Sequence, residues 1–174
     1  MRRLILGAVL ALALPAAALA QGAPSATSLA TKACKTEKSA MGTNTFKKTY
    51  AAKSAARAMK ACLAKQGVVA EKQISNAAHA CKAERDAMGD AAFAGKYAVE
   101  GVNHNGRNAY GKCVSSKAKA ASAEATEDRI AAARTCKTES ADKAAFAAEF
   151  GSGKNAFGKC VSKTAKELAA AEQA

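Results

Sequence analysis

Cysteine, histidine and glutamate are the residues of this chain whose types could do chemistry. Six cysteines stand at Cys34, Cys62, Cys81, Cys113, Cys136 and Cys160, and there are two histidines, His79 and His104. Zinc sites want close pairs such as Cys-x-x-Cys, or cysteine with clustered histidine. Here no two cysteines are neighbours, so no metal ligand is assigned. A nucleophilic thiol or serine needs a histidine held beside it. His79 lies two residues before Cys81 and His104 in Val102-Asn103-His104-Asn105-Gly106, and neither recurs elsewhere in the chain. They read as a helix-surface residue and a loop tip. Gly151-Ser152-Gly153-Lys154 lacks both the full phosphate-loop motif and a preceding strand. No catalytic or cofactor-binding residue is assigned.

The cysteines mark a repeat. Cys34-Lys35-Thr36-Glu37, Cys81-Lys82-Ala83-Glu84 and Cys136-Lys137-Thr138-Glu139 share Cys-Lys-x-Glu. Each precedes a closing cysteine, in Asn108-Ala109-Tyr110-Gly111-Lys112-Cys113-Val114, in Asn155-Ala156-Phe157-Gly158-Lys159-Cys160-Val161, and in the degenerate Ala58-Met59-Lys60-Ala61-Cys62. Glu37, Glu84 and Glu139 supply one carboxylate per unit, not the facing pair of a glycosidase. They are expected to be structural partners of Lys112 or Lys159 across each hairpin.

The elements that must position these residues are helices. Proline is absent after Pro24, and Ala, Lys, Glu and Gln dominate. The expectation is an all-α chain from about Leu29. Helix breaks are expected at Met41-Gly42 and Met88-Gly89-Asp90, and a cap at Asp142. After each break comes an aromatic pair four residues apart, Phe46 with Tyr50, Phe93 with Tyr97 and Phe146 with Phe150, which places both rings on one helix face as core. Asn108 and Asn155 are placed to cap the helices carrying Cys113 and Cys160. Gly111 and Gly158 lie inside those helices at a cost of roughly 1 kcal/mol each, acceptable where a neighbouring backbone comes close.

From Val114 to Ser140 no Pro or Gly interrupts the run. Val114, Ala118, Ala121, Ala125, Ala132 and Cys136 form one stripe, with Arg129 in the intervening place. This predicts one long helix joining the second unit to the third. A similar join from Cys62 to Cys81 is expected to bend near Gln66-Gly67. A helix rises ~1.5 Å per residue, so Cys113 and Cys136 on one straight helix stand roughly 35 Å apart. A disulfide needs Cα atoms within roughly 7 Å. Cys62 with Cys81 fails for the same reason unless Gly67 reverses the chain, and the remaining local solution pairs Cys34 with Cys62, Cys81 with Cys113, and Cys136 with Cys160.

Residues 1–20 carry Arg2-Arg3, an apolar run from Leu4 to Leu14 and a small-residue site ending at Ala20, the pattern of a secretory signal peptide cleaved after Ala20. Residues 21–28 read as a flexible mature N-terminus, 29–66 as the first unit, 67–117 as the second, and 118–174 as the linking helix and third unit. Six cysteines fit a secreted or extracytoplasmic, oxidising compartment. Of the 174 residues there is no Trp, and 42 residues after position 20 are alanine, so the core is thin and disulfides are the available staple. The expected fold is therefore three disulfide-closed helical repeats joined by long helices, arranged as an array or a bundle.

The formal net charge is +13, of which the leader accounts for only two arginines. Such an excess favours anionic partners. Lys117 and Lys119, then Lys154, Lys159, Lys163 and Lys166, are the candidate anion-binding residues. The expected partner is an anionic cell-envelope polymer or membrane surface. Export and the lack of interleaved aromatics disfavour nucleic acid. The competing reading is a small-ligand binder or enzyme whose pocket is formed by the Glu and aromatic residues of one unit.

The three Cys-Lys-x-Glu signatures, the paired aromatics and Asn-Ala-aromatic-Gly-Lys-Cys-Val resemble the repeats of uncharacterised secreted bacterial proteins across most of the mature chain. The first unit departs from that pattern at Arg57-Ala58-Met59-Lys60-Ala61. The resemblance implies an exported location and a recurring fold unit, and adds no catalytic residue.

Overall fold

The computed structural model describes residues 23–97 and 108–172. The expected leader, His104 and the turn expected at Asn105-Gly106 lie outside these residues. Six helices are present: α1 (Ala26–Thr49), α2 (Ala55–Met88), α3 (Asp90–Tyr97), α4 (Ala109–Glu139), α5 (Lys143–Phe150) and α6 (Ala156–Ala171). The first begins three residues before the expected Leu29, because the Ser25 side chain accepts a hydrogen bond from the Ser28 amide and caps it.

Each unit has one plan: a long helix, a break, a short helix carrying the aromatic pair, and a second long helix. The breaks in the first two units are glycines. Gly42 interrupts α1 at φ 76°, ψ 157°, and Gly89 ends α2 at φ 81°, ψ 156°. That region is essentially closed to residues with a Cβ. In the third unit Asp142 does the work instead, its carboxylate accepting from the amides of Ala144 and Ala145 at 3.0 Å. Gly89→Ala is therefore expected to destabilise by about 1–3 kcal/mol. Gly67→Ala, a helix-interior position with open space for a Cβ, is expected to stabilise by up to ~1 kcal/mol. Urea denaturation of the two variants checks this, and equal shifts would reject the conformational argument.

Two expectations need correction. α2 continues through Gly67 with no non-helical residue, because Gln66 is buried and held in place by Glu37 rather than sitting in a turn. Asn108 and Asn155 do occupy the N-cap positions, but both have helical backbone angles and neither side chain makes a capping bond.

The disulfides are Cys34–Cys62, Cys81–Cys113 and Cys136–Cys160, with Cα separations of 5.9, 6.0 and 6.0 Å. All six cysteines are fully buried. α2 carries both Cys62 and Cys81, and α4 both Cys113 and Cys136, so the boundaries read at 66/67 and 117/118 fall inside helices that adjoining units share. Each long helix runs antiparallel to the one before it. Glu37 meets Gln66 while Leu29 packs with Ala70, and Cys81 meets Cys113 while Gln73 bonds the carbonyl of Ala121. The result is a bundle of α1, α2, α4 and α6, with α1 also packed along α4.

Alanine allows this closeness. Ala70, Ala77, Ala109 and Ala118 are buried around Phe93 and the Cys81–Cys113 bridge; Ala132, Ala133 and Ala156 around Phe150, Phe157 and the third bridge. The aromatic pairs have ring centroids 4.9 Å apart in every unit and cover the bridges. Such pairs contribute roughly 0.5–1.5 kcal/mol beyond area burial. α1 ties the units together: Leu29 joins the second core and Met41 packs on the third.

Candidate functional site

The recurring glutamates are not partners of Lys112 or Lys159. Glu37 is completely buried, where its carboxylate accepts from Tyr50 Oη at 2.5 Å, from Gln66 Nε2, and from Arg129 Nε at 3.1 Å. Arg129 Nη2 also donates to Tyr50 Oη at 3.1 Å, and its guanidinium lies over the Tyr50 ring. A buried carboxylate needs a cation and full hydrogen bonding, and a lysine at the hairpin edge supplies neither at this depth. Burial, reinforced by Glu37, pushes the Tyr50 phenol well above its ordinary range, with Arg129 opposing. Burial works against the Arg129 charge too, but Tyr50 and Glu37 beside it outweigh that and hold it protonated.

Glu84 repeats part of this arrangement nearer the surface. It accepts from Lys96 at 2.6 Å and Tyr97 Oη at 2.9 Å, and pairs with Lys117 at 3.1 Å. The hydrogen bonds from Lys96, Lys117 and Tyr97 lower its pKa to about 2. In the third unit Phe150 has no hydroxyl to offer. Glu139 is exposed, with its carboxylate 3.3 Å from Cys160 Sγ. Cys136, Glu139 and Cys160 thus cluster as three potential metal ligands, but the two sulfurs are bonded to each other and present no thiolate. Glu37 is closed inside the first unit, Glu84 lies nearer the surface and Glu139 is exposed; among the described residues none of the three glutamates lines a cavity shared with the rings of its unit. His79 is exposed on α2.

What the fold does assemble is a basic surface at one end of the bundle. Because the chain reverses with each long helix, the turns of the first and third units come together there. The contact is tight: a Cβ added to Gly158 would stand 2.6 Å from the carbonyl oxygen of Thr49. That is the close backbone approach expected of this glycine.

Around this contact lies a groove of about 850 Å³, walled by Thr49, Tyr50, Ala51 and Lys65 on one side and by α6 residues including Lys159, Ser162, Lys163 and Lys166 on the other. Ala51 also borders a second concavity, of about 430 Å³, lined by Asn44, Lys47, Lys48, Lys53 and Lys154. Lys48 and Lys154 are shared in turn with a third, which adds Lys143. The three adjoin one another through shared lining residues and together are lined by nine lysines against one carboxylate, Glu167. All nine except the half-buried Lys47 are exposed.

Of the six candidate lysines, Lys154, Lys159, Lys163 and Lys166 belong to this surface. Lys163 is partly neutralised by Glu149 at 2.6 Å. Lys117 is occupied by Glu84, and Lys119 borders a separate small cavity between α1 and α4 together with Lys32 and Glu127. Lys47, Lys48, Lys53 and Lys65 join this surface from the first unit. Nothing local in the sequence says that Lys65 faces α6, or that Lys47, Lys48 and Lys53 stand beside Lys154. No helix among the described residues is long and apolar enough to cross a membrane. The chain matches no family model, no curated protein and no solved structure, so geometry alone carries the functional reading.

Proposed function

We propose that this is an exported, non-catalytic helical protein that binds an anionic polymer or surface of the cell envelope through the basic end of its bundle. The observation that carries the proposal is the confluence of nine lysines from the first and third units around adjoining concavities lined by one carboxylate. Three disulfides suit an oxidising extracytoplasmic compartment, where such polymers are found. Ammonium groups on flexible stems attract anionic groups without demanding one planar geometry.

The purified protein is expected to bind an anionic matrix with a steep salt dependence, losing roughly tenfold or more in affinity between 50 and 200 mM salt as counter-ions are released. Neutralising Lys154, Lys159 and Lys166 to glutamine should weaken retention and flatten the salt dependence. Lys163→Gln should do less, since Glu149 already holds that charge. Undiminished retention of the triple variant would reject the proposal.

A further inference from the structure

The shape of the basic end narrows the class of partner, and this step rests on the anion-binding reading above. A membrane surface is engaged by a flat or convex face that many headgroups can reach at once. Here the lysines line a concave path that leads from the α6 groove past Ala51, between Lys48 and Lys154, to Lys143. A path of that form accepts a chain. The bases of single-stranded nucleic acid would require exposed rings on which to stack. The aromatics bordering the path do not provide them: Tyr50 is 6 % exposed and Phe157 8 % exposed. Phe146 is only half-buried, but it packs against Phe150 with ring centroids 4.9 Å apart.

What alternates with the ammonium groups along the path is a set of small hydroxyls and amides, Asn44, Ser140, Ser152, Asn155 and Ser162. Asn44, Ser152 and Asn155 can both donate to and accept from hydroxyl groups, while Ser140 and Ser162, whose hydroxyls already donate to the carbonyls of Lys137 and Gly158 at 2.9 and 2.8 Å, can accept. Lysines interleaved with such groups match a chain that bears anionic groups and hydroxyls together. We infer that the partner is a linear acidic polysaccharide, carrying carboxylate or sulfate groups, laid along this path with its tightest segment in the groove between Lys65 and Lys166.

The Gly158–Thr49 contact provides a test that leaves charge untouched. A methyl group at 158 collides with a carbonyl oxygen of the opposite wall, so the walls must separate for it to fit. Binding of a uronate oligosaccharide of defined length is measured by titration calorimetry for four proteins. They are the wild type; Gly158→Ala; the groove variant Lys65→Gln with Lys166→Gln; and a charge-matched variant away from the path, Lys72→Gln with Lys119→Gln. Circular dichroism and a non-reducing peptide map verify the fold of each.

The groove variant is expected to lose roughly ten- to thirtyfold in affinity, taking about 1 kcal/mol per lysine. The matched variant should lose less than about twofold, as expected for charges screened from the path. Gly158→Ala should also weaken binding if folded, and if it does not fold the comparison of the two double variants stands on its own. Affinity should rise with oligosaccharide length. Equal losses in the two double variants, with the wild type still retained on an anionic matrix, would overturn the path while sparing the broader reading. A wild type that binds neither oligosaccharide nor matrix would overturn both. Tighter binding to single-stranded DNA, to polyphosphate or to anionic phosphatidylglycerol vesicles than to the oligosaccharide would overturn the polysaccharide assignment.

Discussion

Reduced with excess thiol, this chain is expected to unfold at 25 °C, with loss of most of its helical circular dichroism signal and of its cooperative thermal transition. The three bridges close successive loops with sequence separations of 28, 32 and 24 residues, none enclosing another. Their contributions should therefore be nearly additive. In the chain-entropy model each contributes about 3–4 kcal/mol, on the order of 10 kcal/mol together. That is comparable to the whole net stability of an ordinary domain, roughly 5–15 kcal/mol. The rest of the core cannot compensate, because much of what is buried is alanine, which removes little apolar area from water. Single replacements, such as Cys136→Ala with Cys160→Ala, should each lower the unfolding free energy by about 3–4 kcal/mol. A reduced protein that kept its native melting temperature would show that helix packing alone sustains the fold.

Arg129→Leu is expected to cost about 3–5 kcal/mol with all disulfides intact, because it strands the buried Glu37 carboxylate without its cation. The loss should be specific to the pair. In Glu37→Gln with Arg129→Leu, the residue at 37 no longer carries a charge, so the combined cost should fall well short of the sum of the single losses. Urea denaturation of the two single variants and the double variant gives the coupling directly. Strict additivity, or a loss below about 1 kcal/mol for Arg129→Leu, would show that the pair is not what holds α4 against the first unit. Arg129 belongs to the helix that opens the third unit, whereas Glu37 and Tyr50 belong to the first. This contact therefore reports on assembly of the bundle, and the disulfides report on closure of single units.

Local features were legible in the sequence. Helices, glycine breaks, aromatic pairs and bridge pairing all follow from interactions within a few turns or from the length of a straight helix. Long-range partners were not. A carboxylate three residues after a cysteine suggested a lysine across the hairpin, but burial decides otherwise: Glu37 sits too deep for a snorkelling lysine and takes an arginine ninety-two residues away. Two signals were present. Arg129 was the lone charge within an alanine stripe, and the second aromatic is Tyr in the units where the glutamate accepts its hydroxyl, but Phe150 where it does not. The basic end was less visible still, since Lys65 and Lys166, or Lys47 and Lys154, come to line one concavity only once the direction of every long helix is known.

That alternation of direction decides what a chain built of fewer or more such units would present. Each unit begun on a shared helix turns the chain around, so odd-ranked units present their turns at one pole of the bundle and even-ranked units at the other. A two-unit chain would have a single turn at each pole and no place where α6-type and α1-type surfaces confront one another. The lysine-lined path is thus a property of parity: it first becomes possible at three units, and a fourth would build at the opposite pole without touching it.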